Sequence, residues 1–219
     1  MDLQDFFPSI GAARIQAFFR TAGYPESVAN LLGGICATAT PRDVLEESGV
    51  ERDLYARPHL PQGAPSSPSI ANLCTYRVDC RLTGLADSAG ARYTRYADDL
   101  AFSGGEDYER CVERFSIHAA AILLEEGCAV NHRKTRIMRQ GVRQYLAGLV
   151  VNRLMNILRP DFDLLKATLN NCVRLGPAQQ NREGHPHFRA NLEGRVAYVE
   201  SINPSKGQRL RALLDRIPW

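Results

Sequence analysis

Apolar residues recur at helical spacing along most of the chain and give way to alternation near its middle. Ile15, Phe18, Phe19 and Ala22 predict a helix after the opening segment. Pro25 suits a first helical position, and Val28, Leu31 and Leu32 carry a second helix onward. Residues 40–60 are polar with mixed charge and read as a loop or hairpin. Ser67-Pro68 has the form of an N-cap followed by proline at the first helical position, which predicts a helix from about 68 to 86. Between Arg92 and Ser103, Tyr93, Tyr96, Leu100 and Phe102 fit two short strands that turn at Ala97-Asp98-Asp99. Tyr108, Cys111, Val112, Phe115, Ala119, Ile122 and Leu123 form a helical stripe that stops at Gly127. Strands fit 128–131 and 144–151. From residue 161 the period is helical again, through Phe162, Leu165, Leu169 and Val173, then Phe188, Leu192, Val196 and Val199, then Leu210, Leu213, Leu214 and Ile217. The order is mixed β and α for two thirds of the chain, then a helical tail, with no internal repeats. That is an α+β organisation.

A chain of 219 residues with 44% hydrophobic content can bury a sizeable core. No apolar run approaches membrane-spanning length and the N-terminus lacks the shape of a signal peptide, so the expectation is a cytoplasmic protein with no membrane partner. The six cysteines form no CxxC pair. Cys111 and Cys128 lie among apolar residues, which favours reduced core thiols over a zinc site or a disulfide frame. His185 and His187 flank Pro186 in a polar loop and read as surface residues.

Charge changes the picture more than composition does. Residues 1–130 hold 11 Lys+Arg against 18 Asp+Glu, a net −7, whereas residues 131–219 hold 16 against 6, a net +10. An acidic body joined to a basic C-terminal part points to a polyanion partner for the latter, against the plainer reading of a solvated, arginine-rich surface.

The carboxylates of most interest are Asp2 and the pair Asp98-Asp99. Adjacent residues in a regular strand face opposite sides of a sheet, but a tight hairpin turn lets both reach one place. Phosphoryl transfer needs charge neutralised at its attacking and leaving oxygens, and a few carboxylates holding two Mg²⁺ ions supply that. An acidic turn by itself more often coordinates nothing. Order along the chain is what makes the signal specific. Tyr96-Ala97-Asp98-Asp99 resembles the YxDD signature of reverse transcriptases, and Asp2-Leu3-Gln4-Asp5-Phe6-Phe7-Pro8-Ser9-Ile10 resembles their first catalytic motif. Leu60-Pro61-Gln62-Gly63-Ala64-Pro65-Ser66-Ser67-Pro68 is similar to their LPQGxxxSP motif. Asn131-His132-Arg133-Lys134-Thr135 resembles the next, and Gln144 to Asn152 the primer-grip region. Leu192-Glu193-Gly194-Arg195 and Asn203-Pro204-Ser205-Lys206-Gly207 look like the C-terminal part of the bacterial retron-type group. Where retron enzymes carry Val-Thr-Gly, this chain has Leu146-Ala147-Gly148, and only the glycine agrees.

The resemblance implies a right-hand polymerase palm over residues 1–145, an antiparallel sheet backed by helices, followed by a primer grip and helical thumb over 146–219. It implies that Asp2, Asp98 and Asp99 hold two Mg²⁺ ions, with Mn²⁺ as an alternative. Leu3, Asp5, Phe6, Phe7, Gln62 and Gly63 would contact the incoming dNTP, with Phe7 as the gate against a 2′-hydroxyl. Lys134 would act as general acid toward pyrophosphate or as a phosphate-facing charge. Leu146, Ala147, Gly148 and Leu149 would support the primer. The implied partners are an RNA template and primer, the RNA–DNA duplex, dNTPs, a structured noncoding RNA and an effector protein in phage defence. In the family a fingers region precedes the first motif, whereas here Met1 stands directly before Asp2. The expected activity is RNA-directed DNA synthesis; the alternative is a palm and thumb module that binds nucleic acid or a partner without polymerising by itself.

Overall fold

The computed structural model describes residues 1–48 and 52–219, which divide into two compact units, Met1–Ile137 and Met138–Trp219.

The first unit opens with β1 (Leu3–Gln4) and the helices α1 (Phe6–Ser9), α2 (Ala12–Thr21) and α3 (Glu26–Ile35). Next come α4 (Arg42–Ser48), α5 (Arg52–Ala56), α6 (Ser67–Cys74) and α7 (Tyr76–Ser88). The hairpin β2 (Ala91–Tyr96) and β3 (Asp99–Gly104), the long helix α8 (Glu106–Glu125) and β4 (Ala129–Val130) complete it. All strand pairings are antiparallel: β2 with β3 from Ala91↔Gly104 to Tyr96↔Asp99, β1 with β4 through Leu3↔Val130, and β1 with β3 through the bridge Asp2↔Asp99. The strands therefore run in the order β2, β3, β1, β4. Leu3, Leu100, Val78, Leu82, Phe115 and Leu123 are among the buried residues that join the strands to α7 and α8. Phe115 packs edge-on against both Phe102 and Tyr108 at about 5 Å between ring centres.

The second unit carries a small hairpin, β5 (Tyr145–Leu146) with β6 (Leu149–Val150), and then α9 (Arg159–Leu175), α10 (Pro177–Gln180), α11 (Phe188–Ile202) and α12 (Pro204–Leu214). Its separate core is Phe162, Leu165, Leu169, Cys172, Leu192, Val196, Val199, Leu210 and Leu214, with Ile157 and Ile217 at the edges. These are largely the residues whose period predicted the helices. Among the described residues, no helix is long and apolar enough to cross a membrane.

Four local expectations are corrected. Residues 40–60 are not a plain loop: they contain α4 and α5, while residues 49–51 lie outside the described residues. The helix expected over 68–86 is two, broken at Thr75, whose buried hydroxyl donates back to the Ala71 carbonyl at 2.7 Å; such a bond competes with the helical ladder and bends it. The strand expected at 144–151 is a hairpin turning at Ala147-Gly148. Pro25 caps α3 from outside, and that helix turns Ala29 and Gly33 inward, leaving Val28, Leu31 and Ile35 exposed. Its small face is the packed one because a Cβ at Gly33 would collide with Gln16 of α2. Of the cysteines, Cys74, Cys128 and Cys172 are buried, Cys111 is half-buried, and all six are free.

Candidate active site

Register places the acids. The Leu3 amide donates to the Asp98 carbonyl at 2.9 Å and the Leu100 amide to the Met1 carbonyl at 2.8 Å, while the Asn131 amide donates to the Asp2 carbonyl at 2.8 Å. Asp2 thereby lies directly across from Asp99, and opposite residues on paired strands share a face with Cβ atoms roughly 5 Å apart. Asp98 is the second residue of the connecting turn, after Ala97, which adopts the left-handed conformation at φ 51°.

Asp2 is 8% exposed, and its Oδ1 is buried with no hydrogen-bond partner. Its Oδ2 accepts from the Lys134 ammonium at 3.3 Å. A carboxylate oxygen sealed from water without a partner is costly, and a bound cation would offset that cost. Among the described residues, no three His, Cys, Asp or Glu side chains already cluster as a metal cage. The structure brings Asp2, Asp99 and Lys134 together and places Asp98 beside them on the turn.

The remaining segment of the first motif is anchored by hydrogen bonds. Asp5 heads α1 at φ 46° with no side-chain cap; its Oδ1 instead accepts from the Tyr55 hydroxyl at 2.7 Å, which pushes the Tyr55 pKa up to about 12. Phe6 is buried, and Phe7 meets it edge-on at 5.4 Å while staying half-buried. The Leu60 amide donates to the Ile10 carbonyl at 2.9 Å and the Ala12 amide to the Pro58 carbonyl at 2.9 Å, so the loop bearing Gln62 and Gly63 is tied to the first motif. Gln62 and Gly63 are exposed, and Gly63 holds φ 95° with open space around it, a backbone that another chain can approach closely. The Ser67 hydroxyl donates to the Pro61 carbonyl at 2.5 Å and closes this loop from behind.

Two partnerships had no counterpart in the sequence reading. One is Tyr55 with Asp5. The other lies behind the acidic turn, where Arg95 donates to both oxygens of Asp79, to Asn72 Oδ1 and to the Ala97 carbonyl. The one available clue was that Tyr93 and Arg95 share a face of β2; the side-chain partners lie 14 to 23 residues away.

In the second unit, Leu146 pairs with Leu149 across a turn in which Ala147 and Gly148 both have positive φ, 47° and 85°. This is the tight turn whose twist suits a two-residue hairpin. Leu149 packs against the local core, while Leu146, Ala147 and Gly148 are exposed. A groove of ≈ 550 Å³ runs beside the hairpin, lined in part by Gly148, Asp161, Asn191, Gly194, Arg195 and Tyr198.

Residues 1–183 match the family described as reverse transcriptase (RNA-dependent DNA polymerase). The chain belongs to the reverse transcriptase family. It is similar to the retron Mx65 reverse transcriptase of Myxococcus xanthus, at 39% identity over 96% of this chain and 47% of that protein. It is also similar to the retron Mx162 enzyme of the same organism, at 34% over 99% and 47% respectively. The retron Ec86 reverse transcriptase of Escherichia coli is 34% identical over 99% of this chain and 59% of its own length. The chain thus spans about half the length of these retron relatives. Reverse transcriptases generally use divalent metal ions, which is consistent with a buried, unpartnered oxygen on Asp2.

Proposed function

We propose that this chain carries the catalytic and primer-holding parts of a retron-type, RNA-directed DNA polymerase. The observation that carries the reading is the register that sets Asp2 opposite Asp99, with Asp98 on the adjoining turn. Asp2, Asp98 and Asp99 would hold two Mg²⁺ ions, or Mn²⁺, and such ions would supply charge neutralisation for phosphoryl transfer. Residues 1–145 act as palm and 146–219 as primer grip and thumb.

The chain's own groups supply the rest. Leu3, Asp5 and Phe6 present backbone along the dNTP, and Tyr55 holds Asp5 in the left-handed conformation that starts α1. The half-buried ring of Phe7 lies under the sugar and excludes a 2′-hydroxyl. Gln62 and Gly63 meet the nucleotide and template. Lys134, 66% exposed in its side chain, swings from Asp2 to protonate the pyrophosphate leaving group or hold its charge. Leu146, Ala147, Gly148 and Leu149 support the primer strand. The groove beside them, with the basic helices of the second unit, follows the phosphates of the RNA–DNA duplex, and this binding weakens steeply with salt. The wider partners are a structured noncoding RNA and an effector protein in phage defence.

A second reading, a palm and thumb module that binds nucleic acid or a partner without polymerising by itself, is favoured by one observation: the Lys134 ammonium pairs with Asp2 Oδ2 at 3.3 Å. One experiment separates the two. In the complete gene product, Asp98→Ala with Asp99→Ala abolishes dNTP incorporation on an RNA template and leaves RNA binding intact. Incorporation that survives the double change removes the carboxylate assignment, and RNA binding by a wild type that incorporates nothing selects the second reading.

A further inference from the structure

We infer that Arg95 is the positioning residue of the Asp98-Asp99 turn, held in place for that task by Asp79 and Asn72. The inference rests on the reading of Asp98 and Asp99 as the reaction's carboxylates.

Arg95 is the second-last residue of β2, and its side chain is only 6% exposed. Its Nε donates to Asp79 Oδ1 at 2.8 Å and its Nη2 to Asp79 Oδ2 at 2.6 Å, a two-pronged pair. Nη1 donates to Asn72 Oδ1 at 3.0 Å and to the Ala97 carbonyl at 3.1 Å. Asp79 Oδ1 is also fixed by the Tyr93 hydroxyl at 2.8 Å. The guanidinium lies 5.8 Å from the ring centre of Phe6, within the first motif. One planar cation thus touches α6, α7, the first motif and the acidic turn.

Stability alone does not account for this arrangement. Taking a charge pair out of water costs roughly what the pair returns, so such pairs are weak evidence of stabilisation. What distinguishes this one is where its remaining donor points. Ala97 is a non-glycine residue at φ 51°, a strained conformation that persists only where its surroundings impose it. The Ala97 carbonyl shares a rigid peptide plane with the Asp98 amide. Fixing that oxygen fixes the plane from which Asp98 departs, and with it the aim of both carboxylates. Lysine cannot do this, because a single ammonium cannot grip both oxygens of Asp79 and still reach two further acceptors.

The test uses Arg95→Lys, Asp79→Asn and the milder Asn72→Ala, whose parent residue is exposed, in the complete gene product. Misplaced catalytic groups cost up to about 100-fold, so Arg95→Lys and Asp79→Asn should each lower kcat by roughly 10- to 100-fold with dNTP KM little changed. Asn72→Ala should show the same pattern more weakly. Mn²⁺ binding, read by electron paramagnetic resonance with dNTP present, should weaken several-fold in all three. Arg95→Lys combined with Asp79→Asn should be no worse than either alone, since both act through one arrangement. The inference is overturned if Arg95→Lys keeps wild-type kcat, or if activity falls only in proportion to the unfolded fraction while Mn²⁺ binding is unchanged. Asp98→Ala, run in parallel, separates the two layers: if it retains both incorporation and Mn²⁺ binding, the carboxylate reading itself fails.

Discussion

Replacing glycine by alanine at two positions of the second unit should change stability in opposite directions. Both Gly207 and Gly194 are helix-interior residues, in α12 and α11. On intrinsic propensity each change should stabilise by about 0.5–1 kcal/mol. At Gly194 nothing lies within 4 Å of the added Cβ, so that gain should appear undiminished. At Gly207 the Cβ would fall on Cγ and Cα of Glu200 and stand 2.7 Å from its backbone nitrogen. A side-chain tip could rotate aside, but a helix backbone cannot. To restore ordinary contact with the Glu200 Cα, 2.4 Å from the added Cβ, α11 must retreat from α12 by about an ångström. A gap of that size forfeits a quarter to a half of each dispersion contact it opens, and the contacts in question are those of Leu192, Val196, Val199, Leu210 and Leu214. The same retreat pulls Glu200 from its two-pronged pair with Arg211. Overpacking of this kind costs about 1–3 kcal/mol, which exceeds the propensity gain. Gly207→Ala should therefore destabilise by about 1–2 kcal/mol, a factor of roughly 5–30 in the folded-to-unfolded ratio. Trp219 is the sole tryptophan and lies in this unit, its ring 5.4 Å from the Arg189 guanidinium, so its fluorescence in a urea titration reports the transition. A Gly207→Ala midpoint at or above wild type would refute the close-approach argument.

Phe7→Ala should raise ribonucleotide incorporation relative to dNTP by at least about tenfold in a single-nucleotide extension assay; unchanged selectivity would reduce Phe7 to a packing role. Lys134→Ala should lower kcat by about 100-fold as a lost general acid. Wild-type kcat in that variant would dismiss the acid role. Glu126 is held below the usual carboxylate range, first by its hydrogen bond from Arg81 and then by the charges of Arg77, Arg81 and Arg14, against the opposing effect of burial. Because the folded pKa is the lower one, the stabilisation is complete above the ordinary value of 4.5 and is lost as pH falls through the folded value. The Tm difference between wild type and Glu126→Gln should be full at neutral pH and shrink below about pH 4.5; a difference that grew on acidification would contradict the sign.

Much of the fold was legible because its elements obey a single period. The α8 stripe from Tyr108 to Leu123 and the alternation through Tyr93, Leu100 and Phe102 correspond to a helix and a hairpin with little ambiguity. Period failed where partners are distant or where backbone shape, rather than side-chain type, decides. Residues 42–56 hold two short helices without a strong apolar stripe, and α5 is tied down from outside by the Thr40 amide on the Tyr55 carbonyl and by Tyr55 on Asp5. At α3, the apolar stripe of Val28 and Leu31 pointed one way and the helix packed the other, since Gly33 permits a closer approach than any apolar side chain would. At 144–151 the alternation fits one strand or a tight hairpin equally, and the choice falls to Ala147, whose positive φ leaves no mark on its identity.

That last point extends to the candidate site. Three non-glycine residues among those described adopt positive φ: Asp5, Ala97 and Ala147. Each falls inside a segment singled out by motif, at the head of α1, on the acidic turn and at the tip of the β5–β6 hairpin. Such residues persist only where neighbours over-determine them, and they gather at functional sites. The motif residues were readable because their chemistry is written in their side chains. The residues that hold them were not, because their role is conferred by contacts across long stretches of sequence. Tyr55 reaches Asp5 across 50 residues, and Arg95 reaches Asp79 across 16 before it meets Ala97 only two residues on. At Asp5 and Ala97 alike, the strained residue precedes a group assigned to substrate or metal, and a conformationally fixed polar side chain grips it from behind. Shared form at two points of one site implies a shared vulnerability: a change in the gripping residue should leave every motif intact in sequence and still misdirect what the motif presents.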